Sequence, residues 1–199
     1  MSGDGGATAG GPPILRAARE TVRNWLPYVL AVVAFEFAVL IIGAAVGHER
    51  SSPVIPVRAP GDPVPVLDPL SLFLHNAQVA ALIVVGTIFV LPAIALIGYN
   101  AFLLGATLAD AVASLGPIAT LSLLLPHGIF ELPAFWLAGA ISLRWMHVGW
   151  QTTQGGDRHV SVGQTVTETI VAITVVVLLL GIAALVEGTI TKGIAESLT

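Results

Sequence analysis

The sequence reads as an all-α membrane protein, a bundle of about five transmembrane helices with a kinked or re-entrant segment near residues 116–134. Three observations carry that reading. Charged residues make up only 10% of the chain and apolar residues 55%, against roughly 25% and 45–50% in a soluble domain, so a water-facing surface could not be covered. Apolar runs of span length recur along the chain, and a hydrocarbon core about 30 Å thick needs roughly 20 such residues in a helix. Proline, glycine and polar clusters punctuate these runs. The net charge of −4 argues against a nucleic-acid partner, which would want a basic face. The absence of cysteine excludes disulfides, thiolate zinc sites and thiol nucleophiles. One lysine against seven arginines, with acid in excess, is a composition of salt-adapted organisms.

Residues 1–12 are mostly Gly, Ala, Ser and Pro, with one Asp. They cannot bury apolar surface and are expected as a disordered tail. A single helical membrane domain then covers 13–192, with 193–199 as a C-terminal tail. Residues 13–24 carry Arg16, Arg19 and Arg23 and can start a helix lying at the interface. The first span runs from Trp25 to about Gly47. That run is longer than an ordinary signal-peptide core, so a retained anchor is preferred over a cleaved signal. Residues 48–68 hold five of the thirteen prolines, which remove backbone donors and break helices; they read as an external loop outside the lipid.

A helix starts at Pro69 with Asp68 as N-cap and leads into a second span, about Ala77 to Gly98, kinked at Pro92. A third apolar stretch, Asn100 to Leu115, is closed by Gly116-Pro117. The run from Ile118 to Leu143 holds Pro126 and Pro133. Either it is one long bent span, or 118–125 is a re-entrant half-helix followed by a span from about Gly128. A polar, Gly-rich loop over 147–165 precedes the last span, Thr169 to Val186. With the N-terminus cytoplasmic, Arg16, Arg19, Arg23, Arg144 and Arg158 lie inside, and Arg50, Arg58 and Lys192 outside. The positive-inside rule thus favours a multi-pass protein of the plasma membrane with an external C-terminus.

Ionisable groups within spans cost about 2.5–3.5 kcal/mol each on insertion scales, so they are functional candidates by default. Glu36 sits at the middle of the first span. Asn76 and Asn100 flank the second, roughly 36 Å apart on a straight helix, and amides there also serve as interhelical glue. His127 and Glu131, at i and i+4, share a helix face within LLPHGIFELPA, where Pro126, Gly128 and Pro133 are the kink candidates. These five residues form the expected intramembrane polar cluster, with Asn76 as the nearer partner of His127 and Asn100 serving the inner side. Asp110 and Glu187 are secondary candidates, and Glu168 flanks the last span. A zinc site needs at least three protein ligands; His127 and Glu131 supply two, and His75 or Glu36 would have to be the third. HExxH and G-x-S-x-G are both absent, so no metal, no cofactor and no catalytic residues are expected. Gly43 and Gly47, and Ala101, Gly105 and Ala109, make small-residue faces that suit close helix packing, within the bundle or against a second copy.

FLHNAQVA (73–80), N-AFLLG (100–105), LLLPHGIFELPAFWLAGAISLR (123–144) and ALVEGTIT (184–191) together resemble the stage II sporulation protein M family. The resemblance covers residues 68–192, and the Leu-Pro-His-Gly-x-x-Glu-Leu-Pro-Ala core is its most specific part. It implies a multi-spanning, non-catalytic membrane protein. The namesake of the family anchors an external peptidoglycan-degrading pair and supports membrane migration during engulfment. On that basis the expected role is a scaffold in the bilayer for envelope-remodelling partners. Two alternatives stand beside it: a small-solute or lipid transporter with an intramembrane polar path, and an intramembrane hydrolase. A cavity among the polar residues would favour the transporter; satisfied, closed pairs would suit the scaffold.

Overall fold

The computed structural model describes residues 13–50, 68–86, 90–154 and 162–197. The expected tail 1–12 and nearly all of the Pro-rich loop lie outside these residues. Six α-helices follow in order: α1 Pro13–Glu49, α2 Pro69–Val85, α3 Val90–Leu115, α4 Pro117–Thr153, α5 Val162–Val186 and, after a π-helical turn at Glu187–Thr191, the short α6 Lys192–Ser197. Four helices are long and apolar enough to cross a membrane, within Arg19–Glu49, Pro92–Leu115, Pro117–Thr153 and Val162–Ile194. The chain is therefore an all-α membrane-type bundle.

The helices alternate in direction. Trp25 near the start of α1, Arg144 in the last third of α4 and Glu168 near the start of α5 meet at one end, here called the arginine end. Pro69 at the start of α2 packs on Gly188 beyond the end of α5, so α2 begins at the opposite end. It reaches back to Ile83, whose carbonyl accepts from Ser142 Oγ at 2.6 Å, two residues from Arg144. At 17 residues, or about 26 Å, α2 is the shortest of the five. Its N-terminus is held by Asp68, whose side chain accepts from Ser71 N at 3.3 Å. The core joins all five long elements through Val32, Ala80, Ile83, Ile97, Ala134, Ala138, Val176 and Leu180.

Several boundaries differ from the sequence expectation, among them the loop expected over 147–165, into which α4 runs as far as Thr153 and from which α5 starts at Val162. The second span does not run from Ala77 to Gly98: α2 stops at Val85, and α3 starts at Val90 and continues unbroken through Asn100. Pro92 consequently lies in the first turn of α3 and starts a helix rather than kinking one, as suits a residue with no N–H to donate. The region 13–24 is the start of α1 itself, not a separate interfacial helix. Of the two readings of 118–143, the single long span holds and the re-entrant half-helix does not, because α4 is helical from Pro117 to Thr153. A proline frees one carbonyl four residues back, but a membrane helix packed on its neighbours tolerates that loss, and α4 packs on α1, α2, α3 and α5.

The turn expected at Gly116-Pro117 is present. Gly116 has φ +81°, which a side chain would strain, and Pro117 opens α4. The small-residue faces are engaged with each other inside one chain. A Cβ built on Gly43 would collide with the Phe102 carbonyl, one on Gly105 with the Leu40 carbonyl, and one on Gly47 would lie 2.8 Å from Ala106 O. These contacts form the α1–α3 interface, the most extensive in the bundle. Because α1 starts and α5 ends at opposite ends of the bundle, topology reporters fused at Met1 and Thr199 are expected on opposite faces of the membrane. Signals from one face for both would contradict the alternating order.

Candidate functional site

The apolar core closes the arginine end and opens into a cavity towards the other. Ile83, Ile97 and Phe135 line its deep part, and the space, about 430 Å³, extends along Leu72, His75, Asn76, Leu103, Leu104, Thr107 and Leu124 to Glu187. Its polar wall comes from Glu36, His75, Asn76, Asn100, Thr107, His127, Glu131 and Glu187. His75 and Asn100 are exposed, so the cavity is not sealed. Among the described residues, no lysine or arginine contributes to the lining. A volume of this size lies in the range of small-ligand pockets.

The polar groups are delivered by four helices and the π-helical turn. Glu36 comes from the middle of α1, where its Oε2 accepts from Trp136 Nε1 at 2.7 Å. His127 and Glu131 share a face of α4, next to Gly128, which also lines the space. Asn76 comes from α2 and Asn100 from α3, and Asn100 Nδ2 donates back to Leu96 O at 2.9 Å. The expectation that Asn76 and Asn100 serve opposite sides of the bundle is overturned. The chain turns between Val85 and Val90, so α3 folds back along α2 and both amides face one cavity. The Thr107 hydroxyl donates to Leu103 O and Leu104 O at 2.9 and 3.1 Å, and so is tied to its own helix.

Glu187 is the residue whose place the sequence underrated. His127, Glu131 and Glu187 each offer a ligand atom within 4.8 Å of the others, so the third group beside the α4 pair is neither His75 nor Glu36. The π-helical turn that carries Glu187 also carries Thr191, whose Oγ1 lies 3.3 Å from His127 Nδ1. A π-turn winds wider than an α-turn, and such turns recur at functional positions. Here both ends of the turn face His127. The local signal was slight: one acid at the end of an apolar run, followed by a glycine that admits Pro69. Asp110 lies on α3 outside the cavity lining.

A second polar assembly at the arginine end has a different character. Arg144 pairs with Glu168, lies 4.9 Å over the Trp25 ring and donates to Asn24 O at 3.4 Å. Glu168 also accepts from Trp25 Nε1 at 2.9 Å and Gln164 Nε2 at 2.8 Å. Trp145 Nε1 donates to Thr169 Oγ1 at 2.9 Å, and Tyr28 OH meets His147 Nδ1 at 2.7 Å. These contacts clamp α1, α4 and α5, with Arg144 Nε alone of the guanidinium nitrogens and the Glu168 oxygens left without a hydrogen-bond partner, so Glu168 is a structural partner of Arg144 rather than a free end-of-span charge.

The family described as Stage II sporulation protein M matches residues 68–192. The match opens at the N-cap of α2 and closes just past the π-turn, so it takes in every cavity residue except Glu36. No curated protein and no solved structure matches the chain.

Proposed function

The chain belongs to the stage II sporulation protein M family, and we propose that within it this protein is a membrane transporter-type protein that admits a small polar or cationic solute to the cavity. One observation carries the reading: a space of about 430 Å³ whose wall gathers carboxylates, imidazoles and amides from four helices and the π-turn, with no lysine or arginine among the described residues that line it. Burying so many polar groups in lipid is costly, and a hydrated, solute-accepting space offsets that cost in a way that apolar packing would not. The scaffold role for envelope-remodelling partners rests on family membership, and the cavity is what favours solute binding over it. The hydrolase reading lacks support in the wall, where the Thr107 hydroxyl is bonded to its own helix.

Arginines at the Trp25–Arg144 end put that end in the cytoplasm by the positive-inside rule. The cavity then opens towards the external side. The chain has no native cysteine, so single cysteines report cleanly. Cysteine at Asn76 or Thr107 is expected to react with a membrane-impermeant maleimide added outside, and not with one confined inside. Cysteine at Leu178, on an exposed apolar face, is expected to stay unlabelled from both sides. Failure of both cavity positions to react from either side would overturn the proposal.

A further inference from the structure

We propose that His127, Glu131 and Glu187 form a binding site for a divalent transition-metal ion, with zinc as its representative; this rests on the solute-binding reading of the cavity and names the ion as the kind of solute admitted. The three donor atoms lie within 4.8 Å of one another. A four-coordinate zinc with bonds of 2.0–2.2 Å holds its donors about 3.4 Å apart, so rotation of the two carboxylates by rather more than an ångström closes the set. One imidazole nitrogen with two carboxylate oxygens suits zinc and its neighbours in the first transition row more than calcium or magnesium, which take oxygen alone.

Three further features point the same way. Thr191 Oγ1 stands 3.3 Å from His127 Nδ1, and metal-bound imidazoles are regularly oriented by a hydrogen bond at the other ring nitrogen; in the tautomer with Nδ1–H donating to that hydroxyl, Nε2 keeps its lone pair for the ion. Two carboxylates offset the charge of a divalent ion, so the loaded site is neutral where a net charge would be expensive. Among the described residues, no lysine or arginine in the lining competes for those carboxylates. Protein supplies three ligands, which leaves a coordination position open to the cavity for water or an exchanging anion.

The test uses the full chain in lipid nanodiscs, stripped with a chelator and titrated with Zn²⁺ against a competing indicator. One Zn²⁺ per chain is expected. His127→Ala and Glu187→Gln are each expected to weaken binding at least about 100-fold, and Thr191→Val about 10–100-fold, the range seen for groups that orient a ligand. Asp110→Asn, outside the cavity, is expected to leave it unchanged. Loading the unaltered chain with Co²⁺ supplies a measurement that needs no variant: visible ligand-field bands of a four-coordinate ion are expected. An unaltered chain that binds no Zn²⁺ while its cavity cysteines still label overturns the metal site and leaves the solute-binding reading standing. Zn²⁺ binding that survives both His127→Ala and Glu187→Gln, or a Co²⁺ complex without those bands, also overturns it. A chain that neither binds Zn²⁺ nor labels overturns both readings.

Discussion

Arg144→Leu is expected to destabilise the bundle by about 3–5 kcal/mol, the cost of leaving half of a buried ion pair unpaired. Arg144 is 8% exposed, and the two paired side chains are each 9% exposed, so solvent does little to screen the loss. Without the guanidinium, Glu168 keeps Trp25 and Gln164 as donors but no opposing charge. Glu168→Leu creates the mirror problem, because Arg144 Nε already has no hydrogen-bond partner. The two single losses should not add. Arg144→Leu combined with Glu168→Leu removes both charges, and apolar replacements of a buried pair are often neutral. The double variant is therefore expected to be more stable than either single one. Unfolding midpoints in mild detergent, read as a double-mutant cycle, measure this; strictly additive effects would show that the pair contributes nothing as a pair.

The clamp and the cavity were unequally legible in the sequence, for physical reasons. The arginine rule located the end where Arg144 sits, but its partner lay 24 residues on, across a loop. The apolar run lengths gave α1 and α5, and helix-start chemistry gave Asp68-Pro69 and Gly116-Pro117, because those signals are local. The turn between Val85 and Val90 was hidden. Val84 to Leu91 is apolar apart from Gly86 and Thr87, so hydropathy marks no boundary, and the break was assigned to the more polar Gly98–Asn100 instead. That one misplacement set Asn76 and Asn100 on opposite sides of the bundle. Pro126 and Pro133 left one span and a re-entrant half-helix equally open, since propensity sees the lost donor and not the four helices packed around α4. His127 and Glu131 were readable as a pair from their i, i+4 spacing. Glu187 was not readable as their companion, because no local pattern links positions 56 residues apart. Glu36, for its part, lies on a helix outside the family match.

Gly105→Leu is expected to detach α1 from α3, and with it the helix that carries Glu36 into the cavity. A Cβ at Gly105 would collide with the Leu40 carbonyl and lie 2.8 Å from Ala44 N, and one at Gly43 would collide with the Phe102 carbonyl. These obstacles are backbone atoms of the partner helix, which no rotamer change can move aside, so the helices must separate. In a bilayer the apolar surface thereby exposed is as well solvated by lipid as by protein, and nothing but close packing and interhelical bonds draws the helices together again. Gly105→Ala is expected to cost about 1–3 kcal/mol, as overpacking usually does, with valine and leucine progressively worse. Gly181 is the internal control. A Cβ there meets nothing within 4 Å, and Gly181→Ala is expected to be neutral or stabilising by up to about 1 kcal/mol through helix propensity. The unfolding midpoint of each variant, with tryptophan emission to follow the environment of Trp136 against Glu36, orders the series. A Gly105→Leu chain that unfolds at the unaltered midpoint would show that α1 docks on α3 through contacts other than the glycine faces.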